Sequence, residues 1–171
     1  MEEQKGFSLI ELLIVVAIIL IVAAIAIPNL MRSRLAANDA SAAASMRSIN
    51  TAEIAYLSAY PVTGFPLALA PLGGAAPCTP AMATACLLDD HLASNGGGSG
   101  KSGYSFNATG SASGGSFTNN QFYATGTPLS PQTGTRAYCS IEDATLRLQP
   151  AGVIALVPSH NACELLSPMG S

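Results

Sequence analysis

The chain has 171 residues, 49% of them hydrophobic and only 10% charged, with a formal net charge of −3. That length accommodates one modest domain. Charge so sparse and slightly negative offers no basic surface to neutralise phosphates and no acidic tail to gather cations, so a direct nucleic-acid site is not expected.

The first element is the apolar run inside "KGFSLIELLIVVAIILIVAAIAIPNL". From Phe7 to Ile27 its sole charged residue is Glu11. As a helix this stretch reaches about 30 Å, enough to cross a hydrocarbon core. A cleavable secretory signal is a poorer reading, because its apolar core would far exceed the usual run of roughly 7 to 15 residues and the leading "MEEQK" is not net positive. Ser8 and Glu11 have the S-x-x-E spacing of a capping box, with Phe7 and Leu12 placed as a hydrophobic staple. A local cap does not account for a carboxylate inside lipid, where a central ionised group costs about 2.5 to 3.5 kcal/mol and usually marks function. Glu11 is therefore the first candidate functional residue.

These residues closely resemble the amino-terminal signature of type IV pilins and the related pseudopilins of type II secretion. The resemblance covers about the first thirty residues. It implies that residues 1–6 are a leader removed by a prepilin peptidase between Gly6 and Phe7, that the new terminus of Phe7 is N-methylated, and that Glu11 pairs with the terminal amine of a neighbouring subunit. It also implies an inner-membrane precursor that passes, through pilus assembly machinery, into an extracellular homopolymer. Two opposite charges desolvated in an apolar bundle penalise any register that leaves either unpaired, so Glu11 would choose partner and stagger more than add net stability. The lysine and arginine count points against this orientation: Lys5 stands before the span, and Arg32, Arg34 and Arg47 after it.

Residues 7–28 are thus read as the transmembrane and assembly helix, and Pro28 as a helix break, since its ring clashes with the carbonyl of Ala24 and it donates no hydrogen bond. Residues 29–60 continue without glycine or a further proline and place Met31, Leu35, Ala42, Met46, Ile49, Tyr56 and Tyr60 at helical spacing. This is an amphipathic helix whose stripe packs on the carboxy-terminal domain, with Arg32, Arg34, Asp39, Arg47 and Glu53 expected to face water or other subunits. A single helix from Ser8 to Tyr60 would be about 80 Å long, and its front half has no core of its own to enter.

Residues 61–171 are read as a globular head. "PVTGFPLALAPLGGAAPCTPAMATAC" is a wrapped surface loop and "CLLDDHLA" a short helix, on which Asp89, Asp90 and His91 form a solvated face. "SNGGGSGKSG" is a flexible turn. The alternation at Tyr104, Phe106 and Ala108, then "SFTNNQFYATG", "TRAYCSIE" and "ATLRLQ", predict short antiparallel strands, with Glu142 and Asp143 capping a hairpin and "GVIALV" adding an edge strand or closing segment. The predicted fold class is α+β, a long helix on a small antiparallel sheet. Cys78, Cys86, Cys139 and Cys163 all come after the apolar run, an even number that suits an oxidising compartment. They admit three pairings, and the expectation is the order-neighbour solution, Cys78 with Cys86 and Cys139 with Cys163. A zinc site with His91 or His160 is less expected, because no recurrent ligand spacing occurs. The sequon at Asn107 to Thr109 is read as chance.

No hydrolase, metalloprotease or nucleotide-binding signature is present, so no enzyme, metal or cofactor is expected. The leading function is a structural subunit, a major pilin serving adhesion, motility or DNA uptake. The alternatives are a secretion pseudopilin, a membrane-anchored binding protein at the periplasm or surface and, last, an enzyme on such an anchor.

Overall fold

The structure is a computed structural model that describes residues 7–150 and 152–170. Residues 1–6, expected from the sequence to be a leader and including Gly6 of the expected cleavage junction, lie outside them. The chain divides into two compact units, residues 1–34 and 35–171.

Helix α1 spans Leu9–Ala59. In the first unit it is helical without interruption, Pro28 included, so the break expected there is not seen. A proline interior to a helix removes one hydrogen bond, and neighbouring bonds can carry the helix past the missing donor. The large apolar side chains of this segment are exposed, from Phe7 at 80% to Leu30 at 70%. It is long and apolar enough to cross a membrane, and none of its apolar window is buried.

In the second unit the same helix enters a core. Ala42, Met46, Ile49 and Tyr56 are buried against the head. The spacing of this stripe, three and four residues alternately, also passes through positions 39 and 53. Asp39 and Glu53 are buried there, not turned to water as expected. Position on the helix has outweighed residue polarity at both places.

Among the described residues four further helical pieces, one of them a 3-10 turn at Gly96–Gly98, and four strands complete the head. A 3-10 turn at Ala70–Leu72 and helix α2, Asp90–Ala93, precede the sheet. Asp89 caps α2 by accepting from the amide of Leu92 at 2.9 Å and pairs with Lys101 at 3.2 Å, while Asp90 and His91 stay exposed. Strands β1 (Tyr104–Ser111), β2 (Gln121–Pro128), β3 (Tyr138–Ile141) and β4 (Arg147–Leu148) form one antiparallel sheet in that order. Tyr104 pairs with Pro128, Tyr123 with Ile141, and Tyr138 with Leu148. Helix α3, His160–Glu164, closes the chain.

One sheet face, with Phe106, Phe122, Ala124 and Tyr138, joins the core under α1. Gly126 in β2 lets the two layers approach, because a Cβ there would press on the Met46 side chain and the Phe106 ring. The other face holds a smaller cluster of Cys139, Ile141, Val157 and Cys163. "GVIALV" is not a strand: only Val157 of that run is buried, as part of this smaller cluster. Both lateral edges of the sheet are covered along part of their length. On the β1 side the outward amides of Tyr104, Phe106 and Gly110 donate to Lys101 O, Asn95 Oδ1 and Pro66 O. On the β4 side Leu148 N–H donates to Ser167 O and Met169 N–H to Leu146 O.

Candidate assembly site

The first turn of α1 carries the candidate site. Ser8 precedes the helix and its amide donates to Glu11 Oε2 at 3.0 Å, while Leu12 N–H donates to Ser8 O at 3.3 Å. Glu11 thus satisfies an amide that has no partner inside the helix. Its side chain is exposed, as are Leu9, Leu12, Leu13, Val16 and Leu20, which with Ala17 line a shallow apolar groove along the helix. One carboxylate therefore stands at the end of a rod that exposes apolar surface throughout. Burying a Leu or Ile side chain gives about 1.5 to 3 kcal/mol, so a rod with twelve of them exposed has a strong drive to find lipid or another helix.

The head fixes its own half of α1 through polar contacts that sequence reading did not assign. Asp39 Oδ1 accepts from Tyr104 O–H at 2.5 Å and from Thr135 N–H at 3.0 Å, and Oδ2 accepts from Thr135 O–H at 2.6 Å. Tyr138 O–H donates to Asp39 O at 3.1 Å, and Asn38 Nδ2 donates to Thr133 O at 2.8 Å. Burial first, then the Asp39 contact, raises the Tyr104 hydroxyl well above its ordinary range, so it remains a donor. Farther along, Asn50 Nδ2 donates to Ala144 O at 3.2 Å and Tyr56 O–H to Met82 O at 2.8 Å.

Both disulfides lie in the head. Cys78 is bonded to Cys86 in the loop before α2, and Cys139 of β3 to Cys163 of α3, with Cα separations of 6.0 and 5.9 Å. Glu142 and Asp143 part company. Asp143 takes a two-pronged bond from Arg147, at 3.0 and 2.6 Å, and accepts from Thr145 N–H, which holds the β3–β4 turn. The Arg147 contact keeps the Asp143 carboxyl below its ordinary value. Glu142 leaves the turn: it accepts from Phe122 N–H at 2.6 Å and lies 2.7 Å from His160 Nε2, tying α3 to β2. The sequence signal for Asp39 and Glu53 was their register with Met46 and Tyr56; for Glu142 and His160 none existed, since they lie eighteen residues apart on separate elements.

Residues 1–27 match the prokaryotic N-terminal methylation motif. The chain is similar to the type IV wide pilus major component PilA4 of Thermus thermophilus, 64% identical over 39 residues, which is 23% of this chain and 30% of that protein. It is also similar to the type IV major pilin protein PilA of Myxococcus xanthus, 44% identical over 55 residues, 32% of this chain and 25% of that protein. The matched region spans less than a third of the length of either relative. No solved structure matches the chain.

Proposed function

We propose, from the premise that the amino-terminal segment of this chain is that of a type IV pilin, that the protein is the structural subunit of an extracellular pilus. The precursor sits in the inner membrane through residues 7–28. A prepilin peptidase cuts between Gly6 and Phe7, Phe7 is N-methylated, and Glu11 pairs with the amine of a neighbouring copy as the helix leaves lipid for a bundle of identical helices. The head, residues 61–171 with the residues 29–60 half of α1, remains outside the bundle. The observation that carries this reading is the joining of an N-terminal methylation motif to an exposed apolar helix whose single charge is Glu11. A pilus subunit is preferred to a secretion pseudopilin because both relatives are pilus components.

Glu11→Gln is the sharpest test, because glutamine keeps an acceptor for the Ser8 amide and removes the charge. A pilus subunit is expected to lose at least about tenfold in sheared surface filaments, the factor that 1.4 kcal/mol represents. Filament yield unchanged in both Glu11→Gln and Glu11→Leu would leave the helix as a membrane anchor only. Mass spectrometry of the mature chain is expected to find a methylated Phe7 terminus.

A further inference from the structure

Glu53 lies in the head's core with no exposed surface, and neither carboxyl oxygen has a hydrogen-bond partner. One turn earlier on the same helix face, Asn50 Oδ1 is also buried and without a partner, although the Asn50 amide nitrogen is committed to Ala144 O. Residues three apart on a helix are neighbours. An ionised carboxylate and a carbonyl oxygen can only repel, whereas a protonated carboxyl supplies the one donor that both groups lack.

We propose that Glu53 is carried as a neutral acid whose O–H serves Asn50 Oδ1, making the seating of the head on its helix sensitive to proton concentration. The groups around it offer no counter-charge. On α1, Tyr56 is the titratable neighbour and its hydroxyl is bound to Met82 O; Tyr60 stacks on Tyr56 with ring centroids 4.8 Å apart. Arg47 is exposed. The loop of residues 61–88, which covers this end of the helix, contains no charged residue. The β3–β4 turn that meets Asn50 brings Glu142 and Asp143, one held against His160 and the other by Arg147. Burial alone pushes the Glu53 carboxyl up to about 8. An uncompensated charge inside a core is avoided by neutralisation, which is the state that the Asn50 neighbour also requires.

The folded-state value lies above the ordinary value of 4.5, so on raising the pH the unfolded chain releases this proton first. The stability tied to Glu53 is complete below 4.5, falls through the interval up to about 8 and levels off above it. In that interval the folding equilibrium constant drops about tenfold per pH unit.

The test uses the full mature chain in detergent micelles, with unfolding of the head followed by near-ultraviolet circular dichroism of its tyrosines between pH 5 and 9. The wild-type midpoint is expected to fall from pH 5 to 8, and Glu53→Gln, which keeps a donor for Asn50, to remove that slope. Equal slopes in the two proteins would overturn the proposal. Infrared spectroscopy of the folded wild type provides a readout that does not depend on the variant folding: a protonated-carboxyl carbonyl band is expected at pH 6 and should titrate away near 8. Absence of that band at pH 6 would overturn the proposal equally.

Discussion

Asp39 shows how a single carboxylate can fix a helix on a sheet. Its oxygens take three hydrogen bonds, from Tyr104 and twice from Thr135, and its backbone carbonyl takes a fourth from Tyr138. Bonds to a charged group are worth about 1.5 to 3 kcal/mol, and a buried donor left without its acceptor costs a similar amount. Asp39→Ala leaves the Tyr104 hydroxyl and both Thr135 donors without their acceptor, so it is expected to cost about 2 to 3 kcal/mol and lower the unfolding midpoint. The exposed Asp90→Asn should stay within about 0.5 kcal/mol of wild type in the same measurement. Positions 39 and 53 share the helical register of Met46 and Tyr56, but the sequence reading followed their charge and placed both toward solvent. What the sequence could not supply was the identity of the partners, Tyr104 and Thr135, which lie 65 and 96 residues away along the chain.

Among the elements, β3 is held twice, by its ladder to β2 and by the Cys139–Cys163 bond to α3. The sequence separation is 24 residues here and 8 at Cys78–Cys86. On the chain-entropy argument, loss of the longer link costs about 3.5 kcal/mol and loss of the shorter about 2.5. Paired alanine replacements should therefore lower the unfolding free energy more for Cys139 and Cys163 than for Cys78 and Cys86, as measured by denaturant titration. Amide exchange near Val157 should rise only in the first pair. The strands that alternate over several residues, β1 above all, were legible, because period two is a direct imprint of one buried face. "GVIALV" was not. Its apolar run looks like a strand, but Pro150 and Pro158 flank it and Val157 is needed in the cluster around Cys163. The edge beside β4 is instead occupied by residues 167–169, which carry no strand pattern.

At the scale of the whole molecule, the two compact units differ in where their apolar surface goes. The second, residues 35–171, encloses a core drawn from α1, the loop before α2 and the sheet. Among its described residues the first encloses none. A chain beginning at Leu35 is therefore expected to fold without detergent and to run as a monomer in size-exclusion chromatography, whereas the mature chain should need micelles or assembly. The contrast was legible in the sequence, since the apolar run and the polar remainder obey different composition rules, but the boundaries expected from it fell after residues 28 and 60 and not after residue 34. The methylation motif lies at residues 1–27, inside and just before this first unit's helix, which is why functional reading concentrates there.

The occupied margins of the sheet have a consequence for crowding. A strand with free amides recruits other strands, and a fibre that holds many copies side by side multiplies that hazard. Here Asn95, Pro66 and Lys101 take three outward amides of β1, and residues 167–169 bond alongside β4. Heads can thus stand at very high local density and touch through side chains without fusing their sheets into a continuous, irreversible aggregate.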